Sequence, residues 1–309
     1  MRKNKLTKLL LGLTLILMVA LVGCSKKPTT MKDREGNEFE LPKEINTIVS
    51  TAPSNTEVLM ALGLGDKLVA VDKYSSDIEG IKEDLPKIDF RNPDAESLIA
   101  LNPDIIIASG HNKAGDEDPF ALLKEAGITV VYIPSSESIE GIYGDIEFIA
   151  SLTGTEKEGE KIISSMKKEI DEIKKIGETI ENKKKVYFEI GAGSGLYTFG
   201  QDTFINELLN IVGAENIFSK EKSWITVTPE AVIEANPDVI LSNSPGTNES
   251  GKTAIEDIIS RDGWDTITAV ANKQVFQVDK NTSSRASQNV VKALKEIAKA
   301  IYPNEYKEK

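Results

Sequence analysis

Residues 155–181 read TEKEGEKIISSMKKEIDEIKKIGETIE, and this stretch decides the architecture. Its apolar residues Ile162, Ile163, Met166, Ile170, Ile173 and Ile180 recur at spacings of three and four, with Lys and Glu at most other positions. That period predicts one amphipathic helix with a narrow apolar stripe. At 1.5 Å per residue it would be about 40 Å long, enough to cross a domain. A coiled coil with a partner chain would need sustained heptads and an a/d seam, and the spacing here is irregular. The helix is therefore expected to brace two lobes of the same chain.

On both sides of it, short β-branched runs alternate with helical segments. Before it come Thr47–Ser50, a helix from Pro53 to Gly63 with Ser54 or Asn55 as its cap and Glu57 near the capping-box position, and Leu68–Val71. A helix Asp94–Leu101, a strand Ile105–Ala108, a helix Pro119–Ala126 and a strand Thr129–Ile133 follow. After Lys183–Lys185 the pattern resumes with Val186–Ile190, a helix Thr203–Val212, a helix Pro229–Ala235 and a strand Val239–Ser242. A helix Ala254–Ile259, a strand Gln274–Val278 and a closing helix Ser287–Tyr302 complete it. Such alternation predicts parallel sheets covered by helices. One segment occurs twice: Glu96-Ser-Leu-Ile-Ala-Leu-Asn-Pro-Asp104 before Ile105-Ile106-Ile107, and Glu230-Ala-Val-Ile-Glu-Ala-Asn-Pro-Asp238 before Val239-Ile240-Leu241. Each copy is a short helix stopped by Asn-Pro and followed by a buried strand. Two related halves without a catalytic constellation suit a ligand held between them, where the loops at strand ends converge.

The 309 residues suit about two domains. With 37 basic against 49 acidic side chains, the formal net charge of −12 speaks against nucleic acid, which needs a basic stripe to neutralise phosphates. One cysteine excludes a disulfide framework and any cysteine-rich zinc or iron–sulfur site. That cysteine follows Arg2, Lys3, Lys5 and Lys8, the mostly apolar run Leu9–Val22, and Gly23. The run is short of the roughly 20 residues a membrane-spanning helix takes and has the form of a signal peptide. Leu21-Val22-Gly23-Cys24 resembles the bacterial lipobox, so residues 1–23 are expected to be removed and Cys24 acylated, leaving the protein outside the cytoplasm on a membrane. Residues 24–44, with Lys, Thr, Gly and Pro and little periodicity, read as a flexible tether.

Ile48-Val49-Ser50, Pro53–Glu57, Leu62-Gly63, the two Asn-Pro-Asp segments, Gly213–Phe218 and the final Ile301-Tyr302-Pro303 together resemble one family over about residues 45–303. It is that of the substrate-binding proteins of cobalamin and iron–siderophore ABC importers, with a helical backbone between the lobes. The resemblance implies an α/β fold of two Rossmann-like lobes with parallel sheets, residues 45–154 and 183–309, joined by a single long interlobe α-helix at 155–182. It implies capture of a corrinoid or ferric siderophore and delivery to an ABC permease by a monomer that is not an enzyme and needs no cofactor. A haem receptor of the same import class is the alternative. By position in the repeat, Glu96 and Glu230 would dock on permease arginines, one carboxylate per lobe. Either could also be a solvated first-turn glutamate favoured by the helix dipole.

By family position the ligand residues would be Tyr74, Phe90, Arg91, Ser109, His111, Tyr197, Trp224 and Arg285. Aromatic rings supply rigid apolar area for a macrocycle, and arginine offers paired bonds to amide, carboxylate or phosphate oxygens. Tyr197 and Trp224 have a core reading as well; the polar stretch Ser219–Ser223 before Trp224 favours the cleft. His111, the one histidine, could ligate haem iron or corrinoid cobalt or be plain polar surface. A lone histidine makes a bare transition-metal site a poor expectation, since such sites need several ligands. Gly191-Ala-Gly-Ser-Gly195 follows a strand but does not open directly into a helix, so it is a poor phosphate cradle. A hydrolase would have to recruit His111 as its base, and Gly193-Ser194-Gly195 lacks the nucleophile-elbow spacing.

Overall fold

The computed structural model describes residues 29–112, 118–192, 195–244 and 251–307. The chain begins with an antiparallel hairpin, β1 (Thr30–Lys32) and β2 (Glu38–Glu40), Met31 opposite Phe39. It continues through β3 (Ile48–Ser50), α1 (Pro53–Ala61), β4 (Leu68–Asp72), β5 (Lys87–Ile88), α2 (Ala95–Ala100), β6 (Ile105–Ser109), α3 (Ala121–Glu125) and β7 (Thr129–Ile133). These five strands form one parallel sheet in the order β5-β4-β3-β6-β7. Every residue of β3 and β6 is buried, as strands covered by helices on both faces require.

Two helices follow, α4 (Ile139–Thr153) and α5 (Glu156–Gly177), and then the second half. It consists of β8 (Lys185–Glu189), β9 (Gly191–Ala192), β10 (Leu196–Phe199), α6 (Phe204–Ile211), β11 (Glu215–Asn216), β12 (Trp224–Val227), α7 (Pro229–Ala235) and β13 (Val239–Ser242). The chain closes with α8 (Ala254–Ile259), α9 (Thr268–Ala271), β14 (Val275–Gln277), α10 (Lys280–Ser284) and α11 (Val290–Ile301). Its four-stranded sheet is parallel, in the order β11-β8-β13-β14, and β12-β10-β9 form a small antiparallel sheet beside it.

The long helix is present and joins the halves, but it stops at Gly177 instead of running to 181. Near its start Gly159 lies against α4: a Cβ there would stand 2.6 Å from that of Ala150. At its end Gly177 meets the backbone after α6, where a Cβ would stand 2.1 Å from the Ile211 carbonyl. That contact requires a glycine at the last residue of the rod, and beyond it Thr179 and Ile180 fold into a turn on the carbonyls of Ile176 and Gly177. Between these points Met166, Ile170 and Ile173 are buried in a core that includes residues of both halves, such as Ile146 and Leu294. Two further cores cover the outer faces of the two large sheets.

The repeated segment is the same device twice. Asn102 (φ 46°) and Asn236 (φ 45°) end α2 and α7 in the left-handed conformation. Asp104 then accepts the backbone N–H groups of Asn46 (2.7 Å) and Thr47 (2.9 Å), and Asp238 accepts that of Lys185 (2.8 Å). Each aspartate pins the start of its strand to the strand beside it.

Two expectations need correction. Residues 29–41 are not a tether. The carboxylate of buried Asp33 accepts the backbone N–H groups of Asn37 (2.8 Å) and Tyr132 (3.0 Å), and Arg34 pairs with Asp145 at 2.8 Å, which holds the hairpin on β7 and α4. Helix α1 is not capped by Ser54 or Asn55. It starts directly at Pro53, with Ala52 in the cap position and no side-chain cap bond, so Glu57 is free of that role. The helix α4 was not anticipated at all. Residues 1–28, including the signal segment and Cys24, lie outside the described residues.

Candidate functional site

A cavity of about 780 Å³ opens between the two lobes. The N-terminal wall comes from the ends of parallel strands and the segments that follow them: Thr51–Asn55 after β3, Lys73, Tyr74, Ser76 and Asp77 after β4, Phe90 and Arg91 after β5, Ser109 and Asn112 at the end of β6, Ile133 at the end of β7 and Pro134–Glu137 beyond it. Parallel strands deliver their loops to one edge of a sheet, so five turns converge there. The opposite wall comes from the start of α6 (Thr203, Phe204), the first residue of β12 (Trp224) and the segment Lys280–Ala286.

Six of the eight residues expected at the ligand therefore line one cavity: Tyr74, Phe90, Arg91, Ser109, Trp224 and Arg285. Tyr74, 56% exposed, and Phe90 lie with ring centroids 6.0 Å apart, and Arg91 lies over the Phe90 ring at 5.5 Å. Across the cleft Trp224, 49% exposed, presents a large free surface and meets Phe199 edge-on at 6.1 Å. Its position is a strand start, not the loop that the polar run before it suggested. The Ser109 backbone N–H donates to Asn112 Oδ1 at 2.6 Å, so Asn112 shapes this corner. His111 belongs to the same turn, Gly110–Asn112, and its side chain lies outside the described residues.

Tyr197 does not line the cavity. On β10 its neighbours Leu196 and Thr198 are buried, so strand alternation turns Tyr197 to the other, exposed face. Gly191 and Ala192 form β9, antiparallel to β10, so the segment leads from strand to strand and not into a helix that could hold a phosphate; Gly193 and Ser194 lie outside the described residues.

The wall also carries residues that the sequence reading missed: Asp77, Glu137, Asp145, Lys280 and Asn281. Burial pushes the Asp145 carboxyl above its ordinary range, against hydrogen bonds from Ser136 and Arg34 that favour the charge. Arg285 reaches the cavity edge, but its guanidinium is taken up by Glu57 (2.9 Å), the Tyr74 carbonyl (2.9 Å) and Asp77 (2.8 Å). Among the described residues, Arg91 and Lys280 have no ion pair, which leaves one cation on each wall for a ligand. The position of the turn residues just after β4, β5 and β7 was the signal that could have found Asp77 and Glu137.

Glu96 and Glu230 stand in the first turns of α2 and α7, both exposed. Asp94 and Thr228 already cap those helices through the backbone N–H groups of Ser97 and Ala231. Capping therefore does not explain either glutamate.

Residues 48–282 match the family model of the periplasmic binding proteins. The chain belongs to the periplasmic binding protein family, a solute-binding class. An uncharacterized ABC transporter substrate-binding lipoprotein of Bacillus subtilis (strain 168) is 34% identical over 286 residues, covering 91% of this chain and 88% of the relative. A vitamin B12-binding protein of Vibrio campbellii (strain ATCC BAA-1116) is 27% identical over 253 residues, covering 81% and 87%. A possible iron-binding, periplasmic solute-binding protein of Staphylococcus epidermidis ATCC 12228, known as a crystal structure, superposes with a TM-score of 0.73 at 32% identity and covers 84% of this chain and 100% of that one. This chain is thus a substrate-binding protein of the ABC transporter class, and its two α/β lobes joined by a long helix are the architecture of that family.

Proposed function

We propose that this protein captures a metal chelate, a corrinoid or a ferric siderophore, between its lobes and delivers it to an ABC permease, acting as a monomer anchored outside the cytoplasm by lipid on Cys24. The lobes would be residues 45–154 and 183–309, with 155–182 between them. The observation that carries the reading is the cavity itself. About 780 Å³ lies in the upper part of the range for small-molecule sites, and Tyr74, Phe90 and Trp224 offer flat apolar area suited to a macrocycle or a chelate shell. Arg91 and Lys280 suit peripheral carboxylate, amide or phosphate oxygens. Relatives named as a vitamin B12-binding protein and as a possible iron-binding protein support the same ligand class, and the lipoprotein relative supports the anchor. Glu96 and Glu230, one per lobe and equivalently placed, are the proposed contacts for permease arginines.

Tryptophan fluorescence tests this, because the two tryptophans report different places: Trp224 lines the cleft and Trp264 is fully buried in the outer core of the second lobe. Titration with cyanocobalamin, cobinamide, ferrichrome, ferric enterobactin and haemin should give saturable quenching at micromolar concentration with at least one of them. Trp224→Phe should remove that quenching. No response to any chelate together with a response to a free sugar or amino acid would refute the ligand class.

A further inference from the structure

Glu57 is buried at the junction of the lobes, and among the described residues every partner of its carboxylate comes from the other lobe. One oxygen accepts Arg285 Nη1 at 2.9 Å. The other accepts the Ser287 hydroxyl and Asn289 Nδ2 at 2.9 Å, while Gln288 Nε2 donates to the Glu57 carbonyl at 3.1 Å. Arg285, 11% exposed in its side chain, also donates to the Tyr74 carbonyl and to Asp77. Asp77 in turn accepts Asn281 Nδ2 at 2.7 Å. Every acceptor in this set belongs to the first lobe, and every donor to residues 281–289 of the second.

That one-sidedness has a physical consequence. A buried carboxylate and a buried guanidinium are each costly to desolvate, and each is compensated here by partners that the other lobe supplies. Burial alone would raise the Asp77 carboxyl, yet the bonds from Arg285 and Asn281 leave it below its ordinary value. Neither lobe can satisfy its half of the set alone, so separating the lobes would leave the polar groups of both unpaired until water reached them. The same residues form cavity wall: Tyr74 and Asp77 on one side, Asn281 and Arg285 on the other.

We propose that Glu57 and Arg285 form an interlobe clasp and act as positioning residues that set the width of the ligand cleft. This deepens the proposed function, since it concerns the same cleft. Arg285 acts on the ligand through Glu57 and Asp77, by holding the Tyr74 wall at a fixed span from the Trp224 wall. The helix α5 joins the lobes covalently, the Ile139 N–H donates across them to Glu207 at 2.7 Å, and the clasp joins them beside the cleft.

Hydrogen exchange read by mass spectrometry on the full chain without ligand tests the clasp independently of what the cleft binds. Arg285→Ala should speed amide exchange about tenfold or more in α1, on the lobe that was not altered, and Glu57→Gln should do the same for residues 281–289. The double variant should add little to either single change. Asp77→Asn, at a half-exposed site where folding is not at stake, should give the same reciprocal pattern more weakly. Exchange that changes only within the altered lobe, or in neither, would overturn the proposal, because a residue that merely supports its own lobe produces that result. A chelate titration that fails with the reciprocal pattern intact would count against the ligand and leave the clasp standing.

Discussion

In the first lobe Asp104 collects two backbone N–H groups and the Thr47 hydroxyl, at 2.7–3.0 Å; in the second, Asp238 collects one backbone N–H at 2.8 Å. The helix before each ends on a left-handed asparagine, and the strand after each is fully buried. Around this shared device the lobes diverge. The first has five parallel strands and sends five turns to the cleft; the second has four, plus a small antiparallel sheet that brings in Trp224. The difference teaches that the scaffold is repeated while the ligand chemistry is not. It lies at the strand ends and in the segments beyond them, which carry no packing constraint from the repeat.

The largest effect should come from the point where the rod meets the second lobe. Gly177→Val puts side-chain atoms into the Ile211–Gly213 backbone and should cost about 3 kcal/mol or more. The corresponding glycine at the first lobe meets a side chain, so Gly159→Ala should cost less, about 1–2 kcal/mol, in denaturant unfolding. Next in size, Asp104→Ala should destabilise by about 2 kcal/mol and Asp238→Ala by about 1 kcal/mol, following the number of donors each leaves unpaired. Equal costs would mean that the two copies carry equal load despite their different bonds.

Acid sharpens the same contrast. Backbone hydrogen bonds from Asn46 and Thr47 hold the Asp104 carboxyl below its ordinary value, so the folded state binds this proton less tightly than the unfolded chain. Its contribution is complete above the unfolded value near 4 and is lost as pH falls through the lowered folded value. An Asp104→Asn variant should therefore show a shallower loss of stability than the parent chain below about pH 4. The smallest stability effect should be at Glu96 and Glu230. Replacing either by Ala should change unfolding by no more than about 0.5 kcal/mol, while uptake of the bound chelate in cells should fall for each and further for both.

Much of this fold was legible because buried parallel strands read as short continuous apolar runs, and Ile105-Ile106-Ile107 and Val239-Ile240-Leu241 are such runs. The long helix was legible from its stripe; its end was not, because the apolar spacing continues to Ile180 while the backbone leaves the helix after Gly177. Helix α4 escaped notice since Gly141 and Gly144 interrupt its pattern, and the space at Gly144 is filled by Arg34 from the hairpin. The hairpin escaped because three-residue strands leave almost no periodic signal, and Asp33 finds a partner at Tyr132. At the site, Tyr74, Phe90, Arg91 and Ser109 at strand ends were found and Asp77 and Glu137 on turns of the same kind were not, while Tyr197 lies on the outward face of β10. Glu57 looked like a local cap; its partners lie 228–232 positions away, and no local pattern announces them.

Calorimetric titration of the whole chain with the chelate panel, repeated on Tyr74→Ala with Trp224→Ala, tests the interlobe cleft as the chelate site most directly. The account predicts micromolar or tighter binding of one metal chelate, weakened at least about tenfold when both walls lose their rings. A chelate bound equally well by the double variant, or a sugar or amino acid bound in place of every chelate, would contradict it.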